Sequence, residues 1–362
     1  MSPATHPPLR ACTNPFVSPS RYRYGAYISK KQIAELVAPH PDTLSLVTSW
    51  LEDHGIPPSS VSMTLGGNWL MAIGVPVSQA DDILSASYQR YRNNETKDIV
   101  LRTVSYSLPD ALHGHIQTVV PTTYFGSTLM KWEKPRVLSR GVAAEREKAG
   151  SKELVTVRDP LAFVTPALVR GLYKTYGYEP AAVTQNKFAT AHYINQYPNP
   201  WDLMDFMEVY RTDALDATCS VVLVNGGMYN WDNPGVEASL SLQFASAMTY
   251  PTPHIFYSTG GQPGSPSDPY VRWLAYMLAQ ETLPQTISTS YSNNEYDVPP
   301  DYARYVCNEF MKLGLRGVSV LFSTGDFGVG RGPCLFQTSS GDVIRQFLPQ
   351  FPASCTYGFL SL

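Results

Sequence analysis

The chain has 362 residues, 43% hydrophobic and 16% charged, with a formal net charge of −3. That length and hydrophobic share suit two globular units with large buried sheets and exclude a disordered or coiled-coil chain. The near-neutral charge leaves no basic footprint for nucleic acid or an anionic membrane surface, and no run of about 18 apolar residues is present to span a bilayer.

In chain order, residues 1–25 (MSPATHPPLRACTNPFVSPSRYRYG) hold no basic stretch followed by an apolar one, so no secretory leader is read from them. The sequon Asn94-Glu95-Thr96 would matter only in an exported protein. Residues 30–37 and 42–54 have helical apolar spacing, residues 61–75 alternate like a hairpin, and residues 79–91 return to helix. Residues 99–105 and 115–120 then read as strands. Helices packed on one antiparallel sheet are the pattern of a ferredoxin-like α+β module, here residues 20–125.

Residues 126–160 change character: KWEKPR and EREK crowd charge into a stretch without sustained apolar periodicity, which reads as a linker. A solvated helix over residues 143–152 is an equally good and compatible reading.

Thr165-Pro166 is a helix start with Pro in the first turn. From there to residue 362 the chain alternates β-rich and amphipathic segments, the pattern of a doubly wound α/β domain. Strands are expected over residues 187–194, 220–224, 254–258, 285–291 and 317–323, and helices over 201–211, 236–249, 270–280 and 300–313. Such a sheet is mostly parallel and places its ligands at the carboxyl ends of its strands, so the residues following Val224, Ser258, Tyr291 and Ser323 are the ones to inspect.

Five cysteines (Cys12, Cys219, Cys307, Cys334, Cys355) are too few for a disulfide-built scaffold, and none has zinc-type spacing. Cys334 and Cys355 flank a segment that would close a small loop; a bridge and two free thiols both fit that spacing.

The strongest local signal is GVSVLFSTGDFGVGRG, residues 317–332: a β-run that stops at Thr324-Gly325-Asp326 and enters a glycine-rich turn. It is not a dinucleotide fingerprint, because Pro333 and Cys334 interrupt where a helix should begin. It is not a kinase magnesium motif, since neither the catalytic loop nor the strand lysine precedes it. Phe327 stands where a trypsin-like enzyme has its serine. An Asp that ties down a tight turn is the simplest account of Asp326 taken alone.

Several ordered stretches together resemble the sedolisin family of serine-carboxyl peptidases, in its fungal tripeptidyl-peptidase-like branch. They are TPALVRGLYKTYGY (165–178), CSVVLVNGG (219–227), NPGVEASLSLQ (233–243), YPTPHIFYSTGG (250–261), PQTISTSYS (284–292), GVSVLFSTGDFGVG (317–330) and FPASC (351–355). RYGAYISKKQIAELVAP (23–39) resembles the family's activation prodomain, and residues 126–160 fall where its maturation linker lies. The resemblance implies a subtilisin-like doubly wound, mostly parallel sheet, incomplete in this chain, behind an α+β prodomain.

It also implies roles. Family enzymes use a serine nucleophile, a glutamate base, an aspartate that orients the glutamate, and a second, protonated aspartate at the oxyanion. The base position is Glu237 and the oxyanion position is Asp326. The family pattern E-x-x-x-D puts two carboxyls on one helix face; here its last position is Ser241, which can donate a hydrogen bond but cannot share a proton as an acid pair does. The nucleophile motif Gly-Thr-Ser occurs nowhere in the chain, and the residues for the family's calcium site are not matched either. The expectation is therefore a C-terminally truncated, secreted-type zymogen form of an acid peptidase, inactive by itself. Its partners would be peptide or protein substrates and its own prodomain, with neither nucleic acid nor membrane. A non-catalytic protein that binds peptides or a related peptidase is the alternative.

Overall fold

The computed structural model describes residues 25–63, 69–92, 97, 99–125, 164–181, 185–193, 196–261, 268–325, 334–338, 340–356 and 359–361. The linker expected over residues 126–160, with its possible helix, lies outside them, as does Asn94.

Helix α1 (Lys30–Leu36) begins at a capping box: Ser29 Oγ accepts from Gln32 N, and Gln32 Oε1 accepts from Ser29 N at 2.8 Å. Helix α2 (Pro41–Asp53) starts on a proline and carries Asp42 in its first turn, where the helix dipole favours an acid. It buries Val47 and Leu51. A short hairpin, β1 (Val61–Met63) with β2 (Leu70–Ala72), leads to α3 (Val77–Leu84).

Two expectations fail here. The helix expected over residues 79–91 stops at Leu84, because Ser85 turns left-handed (φ 45°) and Asp81 captures the following backbone, its Oδ1 accepting from Tyr88 N at 2.7 Å. The chain then runs extended as β3 (Gln89–Arg92), antiparallel to β4 (Ile99–Arg102). Residues 115–120 form no strand; a 3-10 turn at Asp110–Leu112 and an isolated His113–Ile116 bridge replace it. The module is α+β, with two separate two-stranded ladders among the described residues.

The second segment opens on α4 (Pro166–Leu172), capped by Thr165 Oγ1 on Leu168 N at 3.1 Å. The expected alternation then follows closely: β5 (Phe188–Tyr193), α5 (Pro200–Tyr210), β6 (Cys219–Val224), α6 (Val236–Thr249), β7 (His254–Thr259), α7 (Pro269–Ala279), β8 (Thr286–Thr289), α8 (Pro300–Leu315) and β10 (Ser319–Ser323). A two-residue β9 (Asn293–Asn294) precedes α8 and pairs with β13 (Gln350–Phe351), while β11 (Leu335–Gln337) pairs with β12 (Val343–Arg345). The last strand is β14 (Phe359–Ser361).

Six strands form one all-parallel sheet in the order β14-β10-β8-β5-β7-β6. Helices α5 and α6 pack together on one face, α7 and α8 on the other. The helices after β5 and β6 thus lie opposite those after β7 and β8, which makes the carboxyl ends beside central β5 the topological switch point, where open α/β sheets bind ligands. The main core lies under α7 and α8, around Trp273, Phe310, Phe322 and Tyr270, all almost fully buried. Such residues give the second segment most of its hydrophobic stabilisation.

The two segments are in contact. Ile33 of α1 joins Met311 and Leu315 of α8 in one apolar cluster, Ile28 N donates to Leu315 O at 3.0 Å, and Lys30 Nζ reaches Ala279 O and Glu281. Tyr106 OH donates to Asp301 Oδ2 at 3.3 Å, and Trp69 donates to the Tyr305 hydroxyl. An apolar cavity of about 410 Å³ lies between α2, the β1–β2 hairpin and α7.

The disulfide is neither of the two readings that the spacing left open. Cys355 is bonded to Cys307 on α8, with Cα atoms 5.4 Å apart, and not to Cys334. Spacing alone left a Cys334–Cys355 bridge and two free thiols equally open; the Phe351-Pro352 turn instead carries Cys355 back onto α8.

Candidate active site

The site is built from turns at the carboxyl edge of the parallel sheet. After β6, Asn225 and Gly226 both take positive φ (51° and 70°), and Gly227 and Gly260 both donate to Val224 O at 2.9 and 3.0 Å. Any Cβ at Gly227 would run into the Ser258 carbonyl, so the turns after β6 and β7 lie backbone against backbone only because glycine is there. Asn225 Nδ2 donates to Gly260 O at 2.9 Å and Ser258 Oγ to Met228 O at 2.6 Å. Ser258 is thereby committed to holding a turn.

Helix α6 enters from this edge. Its N-cap, Gly235, offers no side chain; instead Gly235 N donates to Tyr197 O at 2.9 Å, and Gln196 Oε1 accepts from Ala238 N at 3.4 Å. The turn after β5 therefore caps the helix that follows β6. Glu237 stands in the first turn of α6, half-buried, where unsatisfied backbone N–H groups favour a carboxylate. Ser241, also half-buried, is one turn further along the same face. The structure thus brings these two positions together at the carboxyl edge. Strand β10 ends at Ser323, and Gly325 turns with φ 84°. Asp326 follows outside the described residues, as do Gly328, Gly330 and Gly332.

The sequence reading passed over a buried polar centre beside this edge. Asp268, 1% exposed, caps α7: its Oδ1 accepts from Val271 N at 3.1 Å and from Tyr302 OH at 2.6 Å. Its charge, after burial itself, raises the phenol pKa of Tyr291 and Tyr302. The signal was present as Asp268-Pro269, an N-cap followed by Pro at the first helical position. On the opposite face, His192 and His254 are buried beneath α6. His254 meets Ser246 and Thr190 hydroxyls at 3.1 Å, and His192 stacks on Phe256. Among the described residues no group of three or more His, Cys, Asp or Glu side chains could hold a metal ion.

Comparison with known proteins agrees with this architecture. Residues 9–125 match the family described as the Pro-kumamolisin activation domain. The probable tripeptidyl-peptidase SED3 of Trichophyton verrucosum is 32% identical over 357 residues, covering 94% of this chain and 58% of that protein. The tripeptidyl-peptidase SED2 of Arthroderma otae is 29% identical with the same coverage. Nearly the whole chain is thus similar in sequence to tripeptidyl-peptidases. It spans little more than half the length of the homologues it matches. A solved Pseudomonas sedolisin, a serine-carboxyl proteinase complexed with pseudo-iodotyrostatin, covers 54% of this chain and 52% of its own, at 16% identity and a TM-score of 0.40. The α/β description of the second segment rests on its own strand order, and the α+β first segment lies within the activation-domain match.

Proposed function

We propose that this chain supplies the activation segment and the base-bearing part of a serine-type peptidase that hydrolyses peptide bonds at acidic pH and releases short peptides from protein amino termini. The observation that carries the reading is the match to tripeptidyl-peptidases along 94% of the chain, with Glu237 at a helix N-terminus on the carboxyl edge of a parallel sheet. In this account Glu237 takes the proton of a serine hydroxyl, a weak nucleophile without an adjacent base. Asp326, kept protonated, donates to the oxyanion of the tetrahedral intermediate. Ser241 hydrogen-bonds Glu237 at most, so the base is less firmly oriented than by a carboxyl partner.

Residues 20–125 act as the activation segment, 126–160 as the linker and 161–362 as the partial catalytic unit of an exported zymogen. The sequence holds no Gly-Thr-Ser, so the 362 residues alone release no product by this route. The test is an assay of the purified 362-residue polypeptide on an Ala-Ala-Phe coumarylamide at acidic pH. No release is expected; release that disappears in Glu237→Gln would overturn the inactivity.

Ser241 favours one second reading, a non-catalytic protein that binds peptides or a related peptidase, since loss of an acid within an otherwise matched stretch fits a binder. Saturable peptide binding unchanged by Ser241→Asp is its expected mark.

A further inference from the structure

The hydrophobic core of the first segment is not closed. Val47 and Leu51 of α2 and Ile83 and Leu84 of α3 are buried in one apolar cluster, and the same four residues line the cavity of about 410 Å³. Across from them stand Val271, Arg272 and Ala275 of α7. The volume falls within the range of about 300–1,000 Å³ that small-molecule sites occupy. Protein interiors are close-packed, with few voids larger than a water molecule, so a gap of this size in a core calls for an occupant. Water is a poor one, because each buried water needs about two to four polar partners and this lining is largely apolar. Val77 and Leu101, both on the lining, are 41% and 38% exposed and mark where the cavity meets solvent.

The polar atoms of the lining narrow the choice. Trp50 Nε1 is buried with no hydrogen-bond partner among the described residues, whereas buried polar groups of native proteins are nearly always satisfied. Arg272, half-buried, is the one charged residue among the described residues of the lining, and its Nη2 donates to the Met71 sulfur, a weak acceptor, at 2.9 Å. Both groups are donors, one on α2 and one on α7. The Tyr88 hydroxyl is committed to Pro121 O at 2.6 Å. An occupant that is mostly hydrocarbon, carries negative charge and accepts hydrogen bonds fits this lining; a cation or a sugar does not.

We propose that the cavity is a binding site for an amphiphile of the fatty-acid class, a single hydrocarbon chain ending in a carboxylate, with the chain among Val47, Leu51, Ile83 and Leu84 and the carboxylate toward Arg272. The walls come from both segments, so an occupant that binds only the folded, joined form strengthens the joint between them by mass action. Glu237, Ser241 and Asp326 take no part, and the site stands or falls apart from the peptidase reading.

The test is calorimetric titration of the full chain with decanoate, below the concentration at which decanoate forms micelles, with decanol as the uncharged control. Saturable binding of one decanoate per chain is expected, with a thermal unfolding midpoint that rises as decanoate is added. Decanol should bind about tenfold or more weakly, and Arg272→Gln should bring decanoate down to the level of decanol. Ala275→Phe fills the cavity from the α7 wall and should abolish binding while its own unfolding midpoint stays at or above the parent's. A decanoate brominated at its chain end should quench tryptophan emission in the parent, where Trp50 and Trp69 line the cavity, and not in Ala275→Phe. If Ala275→Phe does not fold, Ala80→Phe fills the cavity from α3 and reads the same point. No saturable binding, or binding unchanged by the filling variant, overturns the site. Decanol binding as tightly as decanoate overturns the assignment of a carboxylate to it.

Discussion

Trp69 in the first segment and Tyr305 on α8 meet edge to face, with ring centroids 5.0 Å apart at 82°, and the indole N–H donates to the tyrosine hydroxyl. The pair ties the activation-type segment to the helix layer that covers the main core. A double-mutant cycle with Trp69→Leu and Tyr305→Leu should give a coupling of about 1–2 kcal/mol in urea unfolding, the sum expected of one aromatic pair and one net hydrogen bond. A coupling near zero would mean that the two segments are held by other contacts.

Burial depresses the His192 pKa from its ordinary 6.5 to about 3, with His254 adding to the effect, and depresses that of His254 to about 4. Both values lie below those of the unfolded chain, so as pH falls under 6.5 the unfolded state takes up protons first and stability is lost. The loss continues until pH nears the folded values and amounts to several kcal/mol. Urea midpoints measured from neutral to acidic pH should fall, and His192→Phe should flatten the slope. An acid-active enzyme built on this chain would work against that slope.

Cys307 and Cys355 close a loop of 48 residues in sequence separation. Removing the bridge by Cys355→Ala should cost about 4 kcal/mol on the loop-entropy estimate, whereas Cys334→Ala should cost far less. Peptide mapping of the oxidised protein should recover Cys307 joined to Cys355; a Cys334–Cys355 peptide would contradict the fold of the last described turn.

Glu309 and Lys312 form a buried ion pair one turn apart on α8, 2.5 Å between Oε1 and Nζ, with Glu309 3% and Lys312 8% exposed. Glu309→Gln strands the ammonium in the interior and should cost about 3–5 kcal/mol, while Glu309→Leu with Lys312→Met should be close to neutral. Denaturant unfolding of the three proteins checks this; a double variant no better than the single would show that packing, not charge, sets the cost.

The legible parts of the fold are those whose physics is local. Residues 219–224 and 319–323 are short apolar runs bounded by turn residues, and α6 covers residues 236–249 as read because Gly235 starts it and Tyr250-Pro251 stops it. Glu237 and Ser241 share a face for the same reason, 3.6-residue periodicity. What was missed depends on distant chain. Asp268 was passed over because residues 262–267 before it are all Gly, Pro, Ser and Gln, and its meaning comes from Tyr302, 34 residues on. Cys355 found a helix rather than its sequence neighbour. The helix through residues 79–91 was lost to Asp81, which binds the backbone beyond Ser85 more favourably than continued helix would.

The most direct measurement is the rate at which the native protein carrying these residues releases tripeptides from a peptide substrate at acidic pH, before and after Glu237→Gln. With Glu237 as the base, release should fall about a hundredfold or more in the variant while peptide binding survives. Release indifferent to residue 237, or none at all from the native protein, would contradict the peptidase account.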